Sequence, residues 1–171
     1  FDSAGVYTIT VVVTDDFGAV SEPCKVDIEV TQKKSFFLIE AGPLFIKGSL
    51  GNYIFARIGL LYEIVPDKFS FVISAGPGIT LEKEPWKSFF MGNAIFNIHA
   101  GAAFFGAGAG FSSKVKEGKS TDAEVIANFG FDIFDNWTSK GSLVFEARGG
   151  LGSGRSFSKN YKLLVGLRFI F

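Results

Sequence analysis

One cysteine, one histidine and one methionine stand in 171 residues. Cys24 alone can close no intramolecular disulfide and supports no cysteine-based metal site, and His99 has no second imidazole to share a metal with. Charge of one sign is also missing: Lys and Arg together number 17, Asp and Glu together 17, and no basic run exceeds Lys33-Lys34. That balance removes the electrostatic footprint that nucleic acid requires, so no nucleic-acid partner is expected. Long apolar runs are absent, because Glu, Lys, Asn, Asp or Gly interrupts each one before the eighteen or so residues of a spanning helix. If this chain crosses a membrane, it does so as a closed β-barrel. Helix formers are scarce where they would be needed, since AGPLF, SAGPG and FFGAGAGF cost too much helix propensity. No GxSxG, no EF-hand spacing and no dinucleotide fingerprint occurs, so the chain is read as non-enzymatic and without cofactor; Gly106, Gly108 and Gly110 have strand spacing, not the spacing of a phosphate loop.

Phenylalanine and glycine are abundant, 21 of each. That pairing suits strands with aromatic residues on one side and small residues in a crowded interior on the other. The chain opens at Phe1 with no initiator Met, basic n-region or signal peptide, which reads as a mature or trimmed piece of a longer protein.

Residues 1–30 predict one hairpin. Tyr7 to Thr14 (YTITVVVT) is a β-branched run, Asp15-Asp16-Phe17-Gly18 supplies turn chemistry, and Lys25 to Val30 alternates at period two. The string GVYTITVVVTDDFGAVSEPCKVDIEV resembles the last two strands of PKD domains, which are immunoglobulin-like modules. An isolated hairpin is marginal in water, so further strands upstream or a docking surface elsewhere are expected. Asp15, Asp16, Asp27 and Glu29 are weak calcium candidates, because turn chemistry alone explains the DDFG step.

Residues 31–34 read as a polar linker. Beyond it lie eight alternating segments: Ser35 to Ile46, Tyr53 to Val65, Phe69 to Leu81, Phe89 to Ala100, Ala103 to Ser113, Asp122 to Phe134, Ser142 to Leu151 and Tyr161 to Phe171. Each has the length that a tilted strand needs to cross about 25–30 Å of hydrocarbon, whereas strands of soluble sandwiches average nearer five or six residues. In the last segment Tyr161, Leu163, Val165, Leu167, Phe169 and Phe171 share one face, and Lys162, Gly166 and Arg168 share the other. A soluble sandwich would alternate in the same way with its apolar face inward. Segment length and the narrow, Gly-rich polar face favour a barrel with a tight lumen. The predicted fold of residues 35–171 is therefore all-β, an eight-stranded antiparallel up-and-down transmembrane barrel.

The strand count, FFGAGAGF and the terminal YKLLVGLRFIF resemble the OmpA-type family of small outer-membrane barrels over residues 35–171. The resemblance implies a bacterial outer-membrane location, lipid and lipopolysaccharide as surroundings, and a periplasmic side for both barrel ends and the N-terminus. It also implies that Tyr161, Leu163, Val165, Leu167, Phe169 and Phe171 form the signal read by the barrel-assembly machinery. Family members often carry long mobile extracellular loops and this chain does not, so adhesin and receptor roles do not carry over. Aromatic girdles are expected from Phe45, Trp86, Phe111 and Tyr161 at one end and Tyr62, Phe69, Trp137, Phe169 and Phe171 at the other.

Strand parity sends Glu40, Arg57, Glu63, His99, Glu124, Asp132, Glu146, Arg148, Lys162 and Arg168 into the lumen. Buried charges must be paired, so an internal ion-pair network that plugs the barrel is the first expectation, with Arg168 bridging Glu40 and Glu146. His99 beside Asn93 and Asn97 is expected to be a hydrogen-bonded lumen residue; serine–histidine–acid catalysis is the weaker reading. Three functions follow: an anchor that holds an immunoglobulin-like module, which would bind envelope glycan or protein, to the outer membrane; a small transport or permeability channel; or a soluble interaction protein.

Overall fold

The computed structural model describes residues 5–30, 34–46, 52–81, 88–114, 122–136, 138–151 and 161–171. The chain divides into two units, Phe1–Lys33 and Lys34–Phe171. In the first, β1 (Gly5–Val11) pairs antiparallel with β2 (Cys24–Val30). The first strand stops at Val11, three residues short of the expected Thr14, because the chain narrows into a smaller loop. Thr14 bridges Val20 alone, and the Asp15 carboxylate accepts the amides of Phe17 and Ala19 at 3.0 and 2.8 Å. Gly18 takes the positive φ of 85° that closes this turn. Cross-strand register places Tyr7, Ile9 and Val11 opposite Ile28, Val26 and Cys24, so one face of the hairpin is apolar.

The second unit is a closed barrel of eight antiparallel strands: β3 (Ser35–Ile46), β4 (Asn52–Val65), β5 (Phe69–Thr80), β6 (Phe89–Ala100), β7 (Ala103–Lys114), β8 (Asp122–Asp135), β9 (Lys140–Gly150) and β10 (Tyr161–Ile170). Each pairs with its sequence neighbours, and β10 closes on β3. Closure leaves no exposed edge. The predicted segments match these strands to within two residues.

At one end the chain enters at Lys34 and finishes at Phe171, which exchanges backbone hydrogen bonds with Phe37. The connections at this terminal end are short for local reasons. In Val65-Pro66-Asp67-Lys68, proline at the second position and φ 55° at Asp67 give a type II pattern closed by Lys68 N to Val65 O at 3.1 Å. Gly101, at φ 63°, takes the first central position of the two-residue turn between Ala100 and Ala103. The connections at the far end, with Trp86 among them, fall largely outside the described residues, as does Trp137.

The barrel is inverted relative to a soluble one. Among the described residues, the outward positions of β3–β10 carry no Asp, Glu, Lys, Arg or His; the bulge after Asp132 turns Phe134 outward and sets Asp135 opposite Lys140. Ile58, Phe37 and Ile133 stand fully outside, and Phe129 nests outside with Phe105, Phe131 and Phe145 at ring-centroid distances of 4.8, 4.3 and 6.4 Å. Inside, two apolar clusters form. Leu44, Tyr53, Phe55, Phe89, Met91 and Leu164 pack toward the far end, and Leu38, Leu61, Val72 and Ile170 toward the terminal end.

Candidate functional site

Among the described residues, charged groups shut away from water are concentrated in the interior of the barrel. Strand alternation puts them there: β3 turns its even-numbered residues inward and β4 its odd-numbered ones, so Glu40 and Arg57 both face the lumen. Register then aligns Glu40 directly opposite Arg57 on β4 and directly opposite Arg168 on β10. One carboxylate therefore lies between two guanidinium groups.

From this triplet an alternating series of charges runs through the lumen. Arg168 Nε donates to Glu40 Oε2 at 3.1 Å, and Arg57 Nη2 pairs with Glu40 Oε1. Arg57 also reaches across the lumen to β9, where Nη1 and Nη2 donate to Glu146 at 3.1 and 3.0 Å, a two-pronged contact suited to the planar guanidinium. Glu146 pairs in turn with Arg148 Nε, whose Nη1 donates to Glu124 Oε2 at 3.1 Å. Lys162 closes the series on Glu124, and its ammonium donates also to Ser112 Oγ at 2.6 Å. The order is Arg168, Glu40, Arg57, Glu146, Arg148, Glu124, Lys162, strictly alternating in sign. It begins and ends on β10, and at roughly 3.3 Å per residue its two ends lie about 20 Å apart along that strand.

Aromatic rings flank the cations. The Arg57 guanidinium lies 4.9 Å from the Phe55 ring centre, the Arg168 guanidinium 5.4 Å from that of Phe104, and the Lys162 ammonium 5.0 Å from that of Phe89. The Arg57 and Arg148 side chains have no exposure at all, and Glu146 has 1%. Isolated charges so placed would cost several kcal/mol each, and the alternating order removes most of that cost by giving every inner member two partners of opposite sign.

The predicted lumen residues all face inward, but their pairing differs from expectation. The Arg that joins Glu40 to Glu146 is Arg57; of these two carboxylates Arg168 contacts Glu40. Barrel shear is the reason. On β9 the residue level with Arg168 is Ser142, and Glu146 sits level with Leu164, four residues further along. Glu63, at the terminal end of β4, is half-buried and joins none of these pairs. Asp132 takes a separate partner: Lys140 Nζ lies 2.8 Å from its Oδ2 and 3.4 Å from Asp135. Lys140 was absent from the expected set because β9 starts two residues earlier than its alternation suggests. The inward parity it shares with Ser142 and Glu146 is the signal that finds it.

His99 shares β5, β6 and β8 with serine and asparagine side chains and lies within electrostatic reach of Lys140 and Asp132. Its Nε2 lies 2.8 Å from Ser70 Oγ, Asn128 Nδ2 donates to Asn97 Oδ1 at 3.0 Å, and Asn93 Oδ1 accepts the Ser74 amide at 3.1 Å. Ser70 is buried, so its hydroxyl is closed to a substrate. Gly106 makes room for this group, since a Cβ there would run into the amide oxygens of both Asn97 and Asn128. The calcium candidates disperse: Asp15 caps its own turn and Asp27 accepts Thr8 Oγ1 at 2.7 Å. Among the described residues no group of three metal-ligating side chains occurs.

The six terminal-strand residues all lie on the outer face. Leu163, Leu167, Phe169 and Phe171 are exposed, and Tyr161 and Val165 are partly covered. Phe169 contacts Phe134 of β8 at a ring-centroid distance of 6.3 Å.

No protein-family model and no curated protein matches the sequence. Among solved structures, the N-terminal β-barrel domain of Pseudomonas aeruginosa OprF is similar, with 14% identity over 81% of this chain and 98% of that chain and a TM-score of 0.50. At that identity the likeness concerns the fold alone: residues 35–170 build a closed eight-stranded antiparallel barrel, similar in fold to that domain.

Proposed function

We propose that the barrel spans a bacterial outer membrane as a non-enzymatic anchor, with its lumen plugged by the alternating charges. The observation that carries this reading is the inversion of polarity: an outer wall without charged residues from strand to strand, and a fully enclosed set of ion pairs within. Water would favour the opposite arrangement, and lipid favours this one. One apolar cluster fills the lumen beyond Arg168 and Glu40, and the other lies beside Glu146, Arg148 and Lys162, which supports a plug over a wetted conduit. An eight-stranded barrel is also only wide enough for its own side chains.

Both barrel ends emerge on one side, and by the OmpA-type resemblance that side is the periplasm. The N-terminal unit is then periplasmic, and its likeness to the end of a PKD module supports a role in holding envelope glycan or protein. Barrel-assembly machinery, outer-membrane lipid and lipopolysaccharide are the other partners in this reading.

Planar-bilayer recording tests the plug. The purified barrel is expected to show no steady conductance, and a stable open level would replace the anchor with the channel reading. Deleting Phe171 tests the assembly signal. The outward aromatic at the chain's end should be needed for efficient insertion, so the deletion is expected to deplete the heat-modifiable folded form from the outer-membrane fraction. Undiminished folded barrel in that fraction would remove Phe171 from the signal.

A further inference from the structure

A closed barrel has no edge strand, so a proline anywhere in its wall removes a ladder hydrogen bond. Two prolines stand mid-strand here, in the same tripeptide: Ala41-Gly42-Pro43 in β3 and Ala75-Gly76-Pro77 in β5. Both interrupt a seam in the same way. Pairing of β10 with β3 passes from Leu164↔Leu44 to Leu167↔Ala41, skipping Gly42 and Pro43; pairing of β4 with β5 passes from Phe55↔Gly78 to Ile58↔Ala75, skipping Gly76 and Pro77. Register is identical on the two sides of each gap, so neither is a slip of the strands. The glycine of each tripeptide lies against the neighbouring backbone, where a Cβ would run into the carbonyl oxygen of Val165 or Ala56.

The two gaps fall on the two outer edges of one hairpin. Between them, β3 and β4 pair without interruption from Ser35↔Tyr62 to Phe45↔Asn52. The seams β5–β6, β6–β7, β7–β8 and β9–β10 are also continuous, and β8–β9 shifts only beyond Asp132, at its terminal end. The hairpin carries Glu40 and Arg57, whose partners Arg168 and Glu146 lie on β10 and β9. Among the described residues no ion pair joins β4 to β5.

We propose that the β3–β4 hairpin is the part of the barrel wall that opens first: a stave bounded by two interrupted seams and held shut by Glu40 and Arg57. Opening exposes the lumen sideways, between strands, and also withdraws Leu38, Leu44, Tyr53, Phe55 and Leu61 from the two apolar clusters. It releases fewer ladder hydrogen bonds than the loss of any hairpin among β6–β9, and it requires the Arg168–Glu40 and Arg57–Glu146 pairs to part.

Hydrogen–deuterium exchange on the full chain folded in detergent micelles tests this. Amides of β3 and β4 and of the facing edges of β10 and β5 are expected to exchange together, faster than those of β6–β8 by roughly tenfold or more. Arg57→Met should accelerate the first group, whose opening parts the pairs that Arg57 makes. Restoring the two backbone donors with Pro43→Val and Pro77→Val should slow that group toward the rate of β6–β8. Exchange of β3 and β4 as slow as that of β6–β8 in the unaltered chain would overturn the proposal, and this comparison stands even if a variant fails to fold. A folded double proline variant with unchanged exchange in the first group would overturn it equally.

Discussion

Arg57→Met is expected to cost about 3–5 kcal/mol of stability, the range for removing one member of a buried ion pair. Methionine fills much the same volume but leaves Glu40 with Arg168 alone and Glu146 with Arg148 alone, both carboxylates being buried. The double change Arg57→Met with Glu146→Leu separates this prediction from a simple loss of packing. It leaves two shorter sets, Arg168 with Glu40 and Arg148 with Glu124 and Lys162, in which every carboxylate keeps a cation. The double variant should therefore cost less than the sum of its single changes, by about 1–3 kcal/mol of coupling. Denaturant unfolding from micelles or vesicles measures all three, and strict additivity would mean that Arg57 and Glu146 are not energetically joined.

Phe129→Arg on the outer wall should cost about 2–4 kcal/mol if that face meets hydrocarbon near mid-depth. The ring also contacts Phe105, Phe131 and Phe145, so the loss should fall at the upper end of the range. Leu167→Arg, on the same face without those ring contacts, provides the comparison and should cost less. Unfolding midpoints in lipid vesicles read both effects. A neutral result at Leu167 would mean that its face meets water, where an exposed arginine costs little.

The strands were legible because each carries its own evidence. Alternation along Tyr161 to Phe171, and along Asp122 to Phe134, separates the two faces within a single segment, and burial follows that parity from Leu163 onward and as far as the bulge after Asp132, where Phe134 turns outward. Fold class follows from local periodicity together with strand length. Pairing inside the lumen was less legible, because it depends on how strands are staggered around the barrel. Arg168 was expected to reach Glu146 from counts along each strand, but shear sets Ser142 level with Arg168 and leaves that role to Arg57.

Lys140 illustrates a second limit. It looked like part of a turn, yet β9 begins on it and its ammonium sits between Asp132 and Asp135. Pro43 and Pro77 show a third. AGP in two strands was visible as a helix breaker, but which of two neighbouring seams a proline interrupts depends on the direction its missing N–H would have taken. Only register gives that direction.

The central claim is that this barrel is folded for lipid, with its apolar surface outward and its charges within. Refolding the purified chain into detergent-free phospholipid vesicles, followed by flotation in high salt and urea, tests it most directly. The chain is expected to float with the vesicles, to resist urea extraction and to migrate differently on a gel before and after boiling. A chain that is folded and monodisperse in detergent-free buffer, and that stays behind when the vesicles float, would contradict it.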